Sequence, residues 1–306
     1  MATQHPRLDP VVGRLLGTPD PQAEAPSLAS LRSRGTPPSP RDDAYDTIAR
    51  LEGGDRPVRV YRRRRDDCII VWFHGGGFVK GDLDSQDGQA RMVADVTSRT
   101  VVSVDYRLAP EHPFPAAYDD AVGAIRWVQA QGAGLLGRAA TPRVAVAGPS
   151  AGANLAVNAA LALSGTPSAP VGLLLAYPVL GGPAELPSRR EFAHGPGLTT
   201  GALDWLLEQY LTDPADRRDV RFTPLLSDRL SSLAPVVLLG AGLDPLRDDA
   251  RVFADALRAS GGRVVQFEEP TLPHGFWKFA PSAPAAGRAA RAMCLAFRAV
   301  LDDPEG

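Results

Sequence analysis

The chain has 306 residues, long enough to bury a large core, and its 44% hydrophobic and 22% charged residues match ordinary globular domains, which excludes wholesale disorder. A formal net charge of −2 gives no reason to expect a nucleic-acid or anionic-membrane partner, because such partners select for clustered positive charge. The two cysteines, Cys68 and Cys294, lie far apart in apolar surroundings and read as buried thiols of a reducing compartment; with no leader-like N-terminus and no membrane-length apolar run, the chain is expected in the cytoplasm.

Residues 1–46 are rich in Pro, Ala and Ser and carry short apolar clusters (Val11, Val12, Leu15, Leu16, then Leu28 and Leu31) at helical spacing, the pattern of broken helices that need another surface. From Pro57 the texture changes to β-branched runs alternating with Ala-rich helical patterns, which predicts repeated βα units and a mostly parallel sheet. Strands are expected near Val58–Arg62, Cys68–Phe73, Thr100–Asp105, Arg143–Ala147, Val171–Tyr177, Val236–Gly240 and Val264–Glu268. Helices are expected at Ser85–Arg99, Ala117–Gln131, Gly152–Ser164, Arg247–Ala259 and Pro284–Leu301. The basic run Arg62–Arg65 is followed at once by Asp66 and Asp67 and reads as a solvated loop or strand end. Between Tyr177 and Pro235 the alternation breaks down around Gly181-Gly182-Pro183, His194-Gly195-Pro196-Gly197 and a helical Leu203–Leu211. The expected organisation is an α/β core over 47–180 and 231–306, with a small helical cap built from 1–46 and an insertion over 181–230.

Gly148-Pro149-Ser150-Ala151-Gly152 follows a buried strand and precedes an Ala-rich helix, the setting that a G-x-S-x-G nucleophile elbow requires. A sharp strand-to-helix turn strains the serine backbone, pushes its hydroxyl into the open and leaves no room for side chains on the flanking glycines. Ser150 is therefore the candidate nucleophile. His74-Gly75-Gly76-Gly77-Phe78 follows the apolar run Ile69–Phe73, and three consecutive glycines let free amides approach a ligand closely. Gly76 and Gly77, with Ala151 at the helix start, are the candidate oxyanion-hole donors, and Gly75 is the substitute if the loop is shifted.

A serine hydroxyl needs an imidazole to take its proton, and the imidazole needs a carboxylate to fix its tautomer. Of the five histidines, His274 alone lies past the last expected strand, in Leu272-Pro273-His274-Gly275-Phe276, where a loop can return to the elbow. It is the candidate base; His5 lies in the N-terminal segment, His194 in the insertion, and His74 and His112 read as structural donors. Asp244 follows the strand between nucleophile and base and gives the order Ser, Asp, His. Its rivals Asp248 and Asp249 fall in the first turn of the next helix, where acids commonly satisfy the helix N-terminus.

Four separated segments together resemble the bacterial hormone-sensitive-lipase-like esterases of the α/β-hydrolase fold. They are His74–Phe78, Tyr106–Ala117, the elbow Gly148–Gly152 continuing into Asn154-Leu155-Ala156, and Asp244–Asp248. The resemblance covers roughly residues 45 to 300. It implies a Ser-His-Asp carboxylesterase working through an acyl-enzyme on short-to-medium acyl esters, with no cofactor, no metal, a small-molecule ester as its only expected partner, and a monomeric or homodimeric state. Deacetylation of a small metabolite is a close variant; a lyase, an acyltransferase and a non-hydrolytic binding protein are the competing classes.

Two positions depart from the family pattern: Pro149 stands before the nucleophile in place of an acidic or small polar residue, and Ala153 replaces a second glycine after the elbow. Proline biases Gly148 toward an extended conformation, which suits a strand end. The prolines of Tyr106–Ala117 suggest a rigid loop that buttresses the oxyanion turn, with Arg107 and Glu111 paired to each other. Trp205, Tyr210 and Phe192 either line an acyl pocket or pack the cap onto the core. Basic residues are almost all arginine, with only Lys80 and Lys278 as lysines, which suits a GC-rich genome.

Overall fold

The computed structural model describes residues 7–17, 28–32, 43–137 and 141–303. His5 and the parts of the N-terminal segment at 18–27 and 33–42 lie outside them.

The described elements run in chain order as helices α1 (Pro10–Leu16) and α2 (Leu28–Leu31), strands β1 (Ala44–Leu51), β2 (Gly54–Tyr61) and β3 (Arg65–Phe73), and helix α3 (Asp87–Thr97). They continue as β4 (Arg99–Val104), α4 (Ala116–Leu136), β5 (Arg143–Pro149), α5 (Ala151–Leu163), β6 (Leu173–Ala176), α6 (Pro187–Glu191) and α7 (Thr200–Tyr210). The chain closes with β7 (Val236–Leu243), α8 (Arg247–Ala259), β8 (Val264–Pro273), the 3-10 turn Phe276–Phe279 and α9 (Pro284–Asp302). The eight strands form one sheet in the order β1-β2-β4-β3-β5-β6-β7-β8; β1 and β2 run antiparallel and β3 through β8 are parallel.

Alternation along β3 divides the core. Ile69, Val71 and Phe73 join one buried cluster with α4, α5 and α8, while Cys68, Ile70 and Trp72 join the other with α3, α9 and Val12 of α1. Because both faces are covered, the central strands are buried and mostly apolar: β6 and β7 are uninterrupted apolar runs, β5 is one beyond Arg143, and β4 buries Arg99, Thr100 and Ser103 among its valines. Cys68 and Cys294 are free and buried in the second cluster. Among the described residues no helix is long and apolar enough to cross a membrane.

Strand β1 has no counterpart among the expected strands. It pairs with β2 along its whole length through a tight turn at Glu52-Gly53, but at the sheet edge it alternates partly exposed residues with charge and lacks the buried run that marks the others. The basic run sits between β2 and β3 as expected of a strand-end loop. There Arg63 pairs with Asp43 and Asp95, and Arg65 with Asp302.

The N-terminal helices do find another surface. Asp9 caps α1 through Oδ1, which accepts from the Val11 and Val12 amides at 3.0 Å, and its own N–H donates to Thr271 O in β8. Arg32, just past α2, donates to Val79 O at 2.7 Å and pairs with Glu111 at 2.7 Å, tying this end of the chain to two loops near the C-terminal ends of the parallel strands.

Candidate active site

Parallel strands bring their C-terminal ends to one edge, and loops from three of them meet there. At the end of β5, Ser150 occupies the turn into α5 with φ +54° and ψ −118°, a conformation side-chain-bearing residues rarely adopt. The flanking glycines are required by space. A Cβ on Gly152 would lie 1.9 Å from Phe73 O, and one on Gly148 2.6 Å from Phe73 O and from the Gly152 carbonyl carbon. Pro149 is accommodated as the last residue of β5, opposite Ala176 of β6, and Ala153 is fully buried inside α5.

Strand β7 ends at Leu243, and Asp244 follows it with no solvent exposure. Its Oδ1 accepts from the Leu246 amide at 2.8 Å, leaving Oδ2 for the His274 Nδ1–H at 2.7 Å. His274 follows β8 directly, and its Nε2 accepts from the Ser150 hydroxyl at 2.9 Å. Three residues far apart in sequence thus form one hydrogen-bonded line. Tyr177, at φ +36°, sets its ring edge-on to His274 at 4.9 Å and so helps fix the plane of the imidazole.

The glycine loop after β3 is shaped as tightly. Gly76 and Gly77 have φ +124° and +64°, and a Cβ on Gly76 would lie 2.0 Å from Lys80 O. The Gly75 N–H donates to Gln86 Oε1 at 3.0 Å, which occupies the substitute donor. Gly76, Gly77 and Ser150 line one cavity of about 370 Å³, whereas Ala151 is fully buried at the first position of α5, where a helix amide has no acceptor within its own helix. The Tyr106 hydroxyl donates to His74 O at 2.7 Å, and the Ala109 N–H to Phe78 O at 2.9 Å. Tyr106–Ala117 therefore does buttress the glycine loop.

Three expectations need correction. Arg107 does not pair with Glu111: it forks onto Asp120 of α4 at 2.8 Å, and Glu111 takes Arg32 instead. The loop is not helical, so a spacing of four residues does not put two side chains together, and each finds a partner on another element. His112 is exposed and makes no side-chain hydrogen bond among the described residues. Asp248 and Asp249 lie in the first turn of α8, but their carboxylates serve the β6–β7 segment. Asp248 accepts from the Ser188 amide at 2.9 Å, and Asp249 accepts from the Gly182 amide at 3.0 Å and pairs with the buried Arg189. Burial dominates over that pairing and raises the Asp249 carboxyl above its ordinary value.

Tyr210, Phe192 and Trp205 pack and do not line the cavity; of the aromatic residues between β6 and β7, Tyr177 does. Tyr210 stacks on Phe78 at 4.0 Å, Phe192 is buried beneath the Arg247 guanidinium, and Trp205 lies against the first core cluster. Leu203, Leu206 and Leu207 of α7, with Leu31 and Leu198, form the apolar lining. A larger cavity of about 790 Å³ shares Val179 and Leu207 with this one but holds neither Ser150 nor His274. Sequence reasoning missed Gln86 and Tyr177 altogether; nothing in their local pattern marks them.

His74 is fully buried, stacks on Tyr106 at 4.2 Å, and its Nδ1–H donates to Gly75 O at 2.8 Å. Burial depresses its imidazole to about 4. The folded value lies below the ordinary 6.5, so as the pH falls the unfolded chain takes up this proton first, and the stability present above pH 6.5 is lost on the way to 4. Between pH 7.5 and 5 the urea-derived unfolding free energy should fall about 2 kcal/mol further in the wild type than in His74→Gln. Equal losses in the two proteins would contradict this assignment.

The fold and these motifs define the class. The family model described as alpha/beta hydrolase fold matches residues 70–278, and the chain belongs to that family, within its hormone-sensitive-lipase-like esterases. Carboxylesterase NlhH of Mycobacterium tuberculosis is 40% identical, with 97% of each chain covered. Carboxylic ester hydrolase LipN of the same organism is 41% identical over 76% of this chain; the match spans 64% of LipN. The crystal structure of DphMB1 superposes with a TM-score of 0.87 at 35% identity, covering 96% of this chain and 99% of that one.

Proposed function

We propose that the protein is a serine carboxylesterase acting on short-to-medium acyl esters, with Ser150 as nucleophile, His274 as general base and acid, and Asp244 as the carboxylate that orients the base. The observation that carries this reading is the unbroken line from Asp244 Oδ2 through both nitrogens of His274 to Ser150 Oγ, at 2.7 and 2.9 Å, ending at a cavity. Ser150 Oγ attacks the ester carbonyl as its proton passes to His274 Nε2. The developing negative charge falls to the amides of Gly76, Gly77 and Ala151, which are free of acceptors among the described loop and turn contacts. His274 then protonates the departing alcohol, and a water attacking the acyl-enzyme repeats the steps in reverse roles.

The helices before β1 and the segment from 181 to 230 form the cap in this reading, and the α7 leucines take the apolar half of the substrate. An acetyl ester of a small metabolite fits the same chemistry. The buried, unbridged Cys68 and Cys294 suit a reducing compartment and support a cytoplasmic location in this reading.

The test is initial-rate hydrolysis of p-nitrophenyl acetate, butyrate, octanoate and laurate, with mass spectrometry of protein treated with an alkyl phosphonate. Turnover of the shorter esters and a single adduct on Ser150 are expected. A folded protein that is inert on every ester and unlabelled at Ser150 overturns the reading.

A further inference from the structure

The chain spends arginine almost everywhere it needs a cation, yet its two lysines, 198 positions apart in sequence, come to the same cavity as Ser150. Lys80 closes the glycine loop, its N–H donating to Gly76 O at 3.1 Å, and its side chain is half-buried. Lys278 lies in the 3-10 turn that begins two residues after His274, with its ammonium 4.7 Å from the Phe279 ring centroid and its side chain open at the cavity rim.

Among the described residues neither lysine has an acidic partner and no Asp or Glu lines the cavity. The contrast with the arginines is sharp: Arg59, Arg91, Arg99, Arg107, Arg189 and Arg247 are all paired with carboxylates. Burial lowers the Lys80 ammonium below its ordinary value; partial burial, and then the Lys80 charge, do the same for Lys278. Two cations left without counter-ions at one cavity oppose each other until an anion joins them. The surrounding polar lining is uncharged and comes from the start of α3: Ser85, Gln86 and Gln89. Gln89 keeps a buried Oε1 without a hydrogen-bond partner among the described residues, an acceptor open to a ligand hydroxyl or a water. The apolar lining comes from α7 and its neighbours. The cavity is thus apolar where the β6–β7 segment contributes and cationic where the β3–α3 and β8–α9 loops contribute.

We propose that the site prefers esters carrying a carboxylate close to the scissile bond, the carboxylate held by Lys80 and Lys278 while the apolar remainder meets the α7 leucines. This deepens the esterase reading and rests on it. Two pairs, each differing by one carboxylate, test it by pH-stat: monoethyl adipate against ethyl hexanoate places the charge on the acyl side, and 3-acetoxybenzoate against phenyl acetate places it on the alcohol side. In one of the pairs the wild type should favour the anionic member in kcat/KM by about tenfold or more. Lys80→Met and Lys278→Met should each cut that ratio about tenfold, whereas Lys80→Arg and Lys278→Arg should keep most of it. The ratio cancels any general effect of a variant on folding or on the chemical step. A ratio near one in both pairs, or a ratio untouched by the methionine variants, overturns the proposal while leaving ester hydrolysis standing. If no ester turns over and Ser150 takes no phosphonate label, the esterase reading fails and this proposal fails with it.

Discussion

Ser150→Ala is expected to lower kcat/KM for p-nitrophenyl butyrate by about four to six orders of magnitude. The hydroxyl that His274 Nε2 faces at 2.9 Å is the atom that would form the acyl bond, and alanine offers nothing in its place. What survives is the contribution of the glycine-loop amides and of substrate positioning, so the variant should still exceed the rate in water. The loss should come without unfolding, because the change removes one oxygen at a cavity wall and leaves the backbone bonds of the elbow in place: Ser150 N to Ala176 O at 2.9 Å, and Val179 N to Ser150 O at 3.3 Å. Thermal melts of variant and wild type should therefore overlay within a few degrees. Activity within tenfold of wild type would mean that some other group attacks the ester.

Asp244→Asn should cost about ten-thousandfold in kcat, even though the side chain is nearly isosteric. Asp244 Oδ1 accepts from the Leu246 amide, so the asparagine keeps its carbonyl oxygen there and turns its NH₂ toward His274 Nδ1. The imidazole must then accept at Nδ1 and carry its proton on Nε2, where it donates to the Ser150 hydroxyl and can no longer remove that proton. The effect should fall on kcat with KM changed little, because Asp244 is fully buried behind the histidine and is not part of the cavity lining. A drop below about tenfold would show that the carboxylate does not set the tautomer.

The chemistry-bearing elements were legible in the sequence because each carries constraints that act locally. The elbow needs Gly148 and Gly152 wherever Phe73 O passes that close, and the glycine loop needs positive φ at Gly76 and Gly77. Buried central strands carry concentrated apolar, β-branched stretches, so β3 through β7 stand out, and the expected α8 coincides with its observed ends, Arg247–Ala259. Where the determinant is a partner distant in sequence, local pattern was silent. Arg107 looks equally suited to Glu111 and to Asp120 until α4 is folded against it, and Gln86 gives no hint that it will hold the Gly75 amide. Strand β1 escaped for a different reason: half its side chains face solvent, so its sequence carries only part of the strand signal. The lysines lay between these cases. Their rarity was visible, but their convergence on one cavity depends on the β3–α3 loop and the turn after β8 lying side by side.

The joint between the β6–β7 segment and α8 bears on how such a protein diversifies. On the α8 side it uses carboxylates, Asp248 and Asp249, only four and five residues beyond Asp244; on the segment side the matching groups at Ser188 and Gly182 are main-chain amides. Main-chain amides come with almost any residue, but the segment also sends the buried Arg189 to Asp249 and the Ser188 hydroxyl to Pro245 O, so its side of the joint combines generic amides with two particular side chains. A segment that keeps an arginine and a serine at these two positions can differ elsewhere in composition, sit on the same carboxylates and change what the pocket accepts. The anchorage, and the register of Asp244 beside it, would carry over untouched.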